Sequence, residues 1–171
     1  MHDQSQERFE IVDDQDRVVG TARRGECHGN PALVHRTAHV MVFNRAGRML
    51  LQKRAADKDI QPGLWDTAVG GHLRPGESYE EAARREMAEE VGLDSGLPLR
   101  TLFDARIRNA IESENTRVFA VTHEGPFRPQ AEEIDALRFW SPEEVTQALG
   151  TGVFTPNLEA EIATLRDRGL W

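Results

Sequence analysis

The chain has 171 residues, enough for one domain with a sizeable core, and a formal net charge of −8, which disfavours a basic surface for nucleic-acid polymers. Its lone cysteine, Cys27, excludes an internal disulfide, and no stretch approaches the about 20 apolar residues of a membrane span. The start MHDQSQERFE has no apolar signal core, so residues 1–8 read as a short polar extension and a cytoplasmic protein is the expectation.

In chain order, residues 9–12 and 18–22 read as two short strands around the turn-prone Asp13-Asp14-Gln15-Asp16, a hairpin. The segment RGECHGNPA, residues 24–32, reads as a loop. Residues 36–43 and 48–53 are largely apolar and predict two central strands joined by Asn44-Arg45-Ala46-Gly47. A polar loop follows over 55–63, and 64–69 lead into a Gly70-Gly71 pair. Beyond the central helix, 99–108 and 116–123 predict strands separated by a polar 109–115, and 136–140 a last strand. Ser141-Pro142-Glu143-Glu144 is a capping box with proline at the first helical position, so 142–149 should be helical, as should 156–168. Strands before and after a central helix give an α/β or α+β class.

The stretch from residue 71 to residue 93, GHLRPGESYEEAARREMAEEVGL, carries the chemistry. Ser78 with Glu81 three residues on predicts a helix start, and Gly92 its stop. On that helix Ala83, Met87 and Val91 form a seam for a core, while Glu86, Glu89 and Glu90 share a face. Three crowded carboxylates repel unless something positive sits among them, and their hard oxygens suit Mg²⁺ or Mn²⁺. For three glutamates alone, a solvated face with ion pairs is the simpler account.

The full spacing overrides that account. Gly71, five residues, Glu77, seven residues, Arg85-Glu86, Met87, then Glu89-Glu90, Gly92 and Leu93 resembles the Nudix box at every fixed position. The resemblance implies one Nudix domain over 1–171, an α/β/α sandwich with a mixed sheet and a catalytic loop–helix–loop. It also implies that Glu86, Glu89 and Glu90 hold divalent metal, that the Gly71 carbonyl joins them, and that Arg85 pairs with Glu77.

Outside the box, LLQKR, PGLWDTAVGGH, IESEN and FTP make residues 9–156 similar to the branch containing type 1 isopentenyl diphosphate isomerases. In those enzymes three histidines and two glutamates bind a metal, and the matching positions are His28, His35, His72, Glu112 and Glu114. Imidazole with carboxylate would take a transition metal or Mn²⁺ more readily than Mg²⁺. The isomerases also need a cysteine just before the Gly-His pair. Gly70 stands there, and it cannot transfer a proton.

These residues favour metal-assisted hydrolysis of a diphosphate bond in a small molecule, a nucleoside di- or triphosphate or a nucleoside diphosphate joined to another group. A carboxylate must take the attacking water's proton, and Glu90 and Glu133 are the candidates. Lys53, Arg54 and Arg74 are candidates for the distal phosphate, Arg54 foremost because its planar fork matches phosphate oxygens. Lys58 reads as a solubilising loop residue and Trp65 as core. A prenyl diphosphate enzyme and a non-catalytic sensing domain are the competing readings. Oligomeric state is not readable.

Overall fold

A computed structural model of the chain describes residues 6–171, so positions 1–5 of the expected extension lie outside the described residues. The rest of that extension is committed to structure. Arg8 opens β1 (Arg8–Val12), which pairs antiparallel with β2 (Val18–Arg23) as a separate hairpin.

A seven-stranded mixed sheet follows, ordered β5-β4-β3-β8-β7, with β6 added to β3 and β9 to β4. Its strands are β3 (His35–Phe43), β4 (Met49–Arg54), β5 (Trp65–Thr67), β6 (Val69–His72), β7 (Arg100–Arg108), β8 (Ser113–Thr122) and β9 (Ile134–Trp140). Among the strand pairs of the described residues, β3 and β8 run parallel and the rest of the sheet's pairs are antiparallel.

The two-residue period of β3 explains the layering. Ala38, Val40 and Val42 face Ala82, Ala83, Met87 and Val91 of helix α2 (Tyr79–Val91). Met41 faces the other way, toward Val145 of α3 (Pro142–Ala148) and Leu158, Ile162 and Leu165 of α4 (Pro156–Asp167). Helices therefore cover both faces of the sheet, the sandwich the sequence implies. Each fully buried Leu, Met or Val stabilises by about 1.5–3 kcal/mol, so these two seams hold α2 in place.

Local signals set the helix ends. Ser78 accepts from the Glu81 amide, the Glu81 carboxylate accepts from the Ser78 amide, and Gly92 closes α2 at φ 69. Ser141 and Glu144 repeat the box at α3. Such caps contribute about 1 kcal/mol each.

Three segments differ from the sequence reading. RGECHGNPA is not all loop: Arg24–Cys27 form a one-turn helix, α1, which buries Cys27 beside Phe9, Ile11 and Ala22. One turn is too short to show helical periodicity. The approach to the glycine pair is two strands, with β5 on β4, β6 on β3 and a break at Ala68. The IESEN segment is not all loop either, since Ser113, Glu114 and Asn115 open β8 in parallel register with β3. Polarity hid that strand end, because Glu114 faces a polar cavity and Asn115 bonds Asp16.

Candidate active site

A cavity of about 810 Å³ opens where β6 meets α2. The three residues of β6 that reach it each serve a different neighbour. The Gly70 amide donates to Glu90 Oε2 at 3.1 Å. Gly71 lies under Glu86 so closely that a Cβ built there would be 2.1 Å from Glu86 Cδ. The His72 carbonyl accepts from Arg85 Nη2 at 3.0 Å, and its ring faces Glu114.

Glu86, Glu89 and Glu90 all line the cavity, as one helical face should. Glu90 is buried and also accepts from Gln52 Nε2 at 3.2 Å. Burial first, and then the neighbouring Glu86, pushes its carboxyl up to about 8. Burial pushes Glu86 up to about 7 against the pull of Arg85. Arg85 forks onto Glu77 with bonds of 2.7 and 2.9 Å, as the box implies, and also reaches Glu86 at 2.5 Å and Glu89 at 3.3 Å. Burial opposes ionisation of Glu77, but Arg85 and the Arg74 amide hold it below the ordinary carboxylate range. Two carboxyl groups that resist ionising side by side, in an oxygen-only set beside the cavity-lining Gly71, fit a hard divalent cation.

The histidine set also converges. The ligand-type atoms of His28, His35 and His72 lie within 4.8 Å of one another, though the residues come from the end of α1, from β3 and from β6. All three Nε2 atoms are buried without a hydrogen-bond partner among the described residues. Glu114 Oε1 stands 3.3 Å from Nε2 of both His35 and His72. His35 Nδ1 donates to the Leu33 carbonyl at 3.1 Å, which fixes the ring with Nε2 turned inward. Burial drives His72 down to about 4, so its ring is neutral. Buried imidazoles gathered around a carboxylate fit a transition metal or Mn²⁺. Glu112 lines the cavity but bonds Asn157 Nδ2 at 3.2 Å, and burial, with Glu114 nearby, raises its carboxyl.

The cations divide. Arg54 lines the cavity and is held by the Ile60 carbonyl at 3.0 Å and by Asp66 at 3.4 Å. Arg74 lines it and pairs with Glu89 at 3.4 Å. Lys53 falls between Gln52 and Arg54 on β4, out of step with both, and is not among the cavity-lining residues. Lys58 is no mere solubilising residue: it lines the cavity and pairs with Glu133, which also lines it. Trp65 packs edge-on against Trp140 at 5.3 Å in the second core, as expected.

Sequence reasoning missed Gln52, Asn157, His39 and Glu161. Two of them carried a signal. His39 is the one ionisable residue within the run TAHVMVF, and Glu161 falls on the Leu158–Ile162–Leu165 face of α4.

Comparison with known proteins agrees with this geometry. The NUDIX domain model matches residues 33–158. The chain is 37% identical over 164 residues to an isopentenyl-diphosphate Delta-isomerase of Nocardia farcinica, covering 92% of this chain and 93% of that one. It is 35% identical over 169 residues to an uncharacterized Nudix hydrolase of Yersinia pestis, covering 96% and 85%. The crystal structure of DR0079 from Deinococcus radiodurans superposes with a TM-score of 0.79 at 25% identity, covering 92% of this chain and 98% of that one. A mixed sheet between helical layers, with an acidic helix over a glycine pair, defines an enzyme of the pyrophosphohydrolase class. The chain belongs to the Nudix family, in which divalent metal is characteristic. No helix among the described residues is long and apolar enough to cross a membrane.

Proposed function

We propose that the protein is a Mg²⁺-dependent hydrolase of a diphosphate bond in a nucleoside 5′-di- or triphosphate, or in a nucleoside diphosphate linked to another moiety. The observation that carries this reading is the oxygen-only set of Glu86, Glu89 and Glu90 over Gly71, facing one cavity with Arg54 and Arg74. Mg²⁺ held by those carboxylates and the Gly71 carbonyl would neutralise phosphate oxygens and lower the pKa of a bound water.

The chain's own residues do the rest. Arg85, clamped to Glu77 and the His72 carbonyl, fixes the loop against the helix. Gly70 N and Gln52 Nε2 fix the Glu90 carboxylate, so little reorganisation remains at the moment of reaction. Arg54 and Arg74 offer forked donors to the distal phosphate. Glu133 can take a proton from water once it parts from Lys58, and Glu90 is the alternative base. His28, His35, His72 and Glu114, with Glu112 nearby, would hold a second cation, Mn²⁺ or a transition metal. Cys27, single and buried, suits a reducing cytoplasm.

The converging histidines and the Nocardia farcinica relative favour a second reading, an enzyme of prenyl diphosphates. Gly70 weighs against the isomerase form of it. The position lacks a thiol, and a Cβ there would meet the His39 ring at 3.0 Å, so a cysteine would need that ring to move. The intact glutamate set weighs against a sensing domain without catalysis. The test is a panel of nucleotides, nucleoside diphosphate conjugates and isopentenyl diphosphate with Mg²⁺ or Mn²⁺, with products identified. Release of a nucleoside monophosphate or of phosphate supports hydrolysis, and isomerised isopentenyl diphosphate with no anhydride cleavage overturns it.

A further inference from the structure

A basic group lining the cavity has no part in the hydrolysis described above. His39 sits midway along the central strand β3, and its Nδ1 lies 2.5 Å from Glu161 Oε1. Glu161 is buried on α4, and its other oxygen accepts from Thr67 Oγ1 at 2.6 Å. A carboxylate engaged at both oxygens fixes the ring plane and keeps the proton on Nδ1.

The ring's far edge lies against the glycine pair. Cδ2 and Nε2 would be 3.0 and 3.2 Å from a Cβ on Gly70, the residue whose amide holds Glu90. The ring fills the space a side chain at Gly70 would take. It lines the same cavity as the carboxylates, with 12% of its side chain exposed. Among the described residues, Nε2 takes no hydrogen bond.

The charge on this ring follows from its neighbours. Burial works against the imidazolium, but the charge and hydrogen bond of Glu161, with Asp66 and Glu114 further off, raise it to about 9. A buried ion pair is an inefficient way to hold β3 to α4, because apolar residues of similar volume do so at no desolvation cost. Three other well-buried cations of the cavity are committed, Arg85 to Glu77, Lys58 to Glu133, and Arg54 to Asp66 and the Ile60 carbonyl, while Arg24 makes only longer contacts, with Glu7 at 3.8 Å and His72 Nδ1 at 3.5 Å.

We propose that His39 contacts substrate, its Nε2–H donating to a phosphate oxygen of the bound diphosphate, with Glu161 and Thr67 as its positioning residues. This rests on the diphosphate reading above.

Methylenediphosphonate, which cannot be hydrolysed, is titrated with Mg²⁺ into the full chain by calorimetry. His39→Asn can keep the Nδ1-type bond to Glu161 while deleting Nε2. The expected result is Mg²⁺-dependent binding by the native protein, weakened about tenfold or more in His39→Asn, as for a lost bond to a charged group. Glu161→Gln should move the alkaline loss of binding to lower pH, which a merely structural residue would not do. In the native protein the His39 Nε2 nitrogen resonance should shift on adding the diphosphonate, a readout independent of any variant's folding. Unchanged affinity in His39→Asn, or an unmoved resonance on binding, overturns the role of His39 alone. Absence of Mg²⁺-dependent binding by the native protein overturns the diphosphate reading and the role of His39 with it.

Discussion

Two clusters of ligand-type side chains face one cavity, and they are built in opposite ways. The carboxylates come from a single turn of α2, where spacing alone puts Glu86, Glu89 and Glu90 on one face. The histidine set is gathered from the end of α1 and from β3, β6 and β8, and exists only once the sheet has formed. The first is all oxygen and partly exposed, with 46% of the Glu89 side chain open; the second is rich in nitrogen, and His35 is fully buried. A helix can encode a hard-cation site locally, whereas a buried imidazole site needs the whole topology. Damage far away in sequence should therefore harm the second and spare the first.

Phe9 gives the largest expected separation. Its ring stacks on His35 at 5.0 Å and on His72 at 4.3 Å, and it is 1% exposed. Phe9→Ala should cost about 3–5 kcal/mol in urea unfolding. It should also strip Mn²⁺ or transition metal from the histidine set while Mg²⁺ binding at α2 survives; loss of both would mean the clusters are one unit. Glu114→Gln is next. It should weaken that second metal by about 10- to 100-fold, read by metal analysis after dialysis, with Mg²⁺ affinity at α2 held. Ser78→Ala tests the local encoding of α2, and about 1 kcal/mol of stability should go with the cap.

The smallest effect is one of pH. The folded carboxyls of Glu86 and Glu90 titrate near 7 and 8, against 4.5 for an ordinary glutamate. The metal-free native state therefore binds more protons than the unfolded chain between those values, and stability falls as pH rises from about 4.5 to 8. Mg²⁺ binds the ionised form, so it should raise the melting temperature more at pH 8 than at pH 5, by about a few degrees. An equal rise at both would detach these two groups from the cation.

What the sequence shows and what it hides follow the same division. Ser78, Glu81 and Gly92 bound α2, and Ser141 with Glu144 starts α3, because caps are local. The alternation of Val40, Met41 and Val42 marks β3 as central, since both its faces are covered. The start of β8 stayed hidden because Ser113, Glu114 and Asn115 are all polar, Glu114 lining the cavity and Asn115 bonding Asp16, and polarity there looks like a loop. Lys58 was misjudged because its partner, Glu133, is far off in sequence. The five matched metal positions were visible only through resemblance, as no spacing links His28 to Glu114. His39 and Glu161 were missed although each is a charge-bearing residue on a core-facing stripe, because only the packing of α4 on β3 shows that they meet.

On the function proposed above, the α2 carboxylates gather the cation with which water breaks a diphosphate bond. The most direct test is Mg²⁺-dependent cleavage of one identified diphosphate substrate, followed by phosphorus NMR, in the native protein and in Glu90→Gln with matched circular dichroism. Glu90→Gln should lose about a hundredfold or more in kcat, the several kcal/mol that metal-held charge stabilisation supplies. Equal turnover by the two proteins would contradict it.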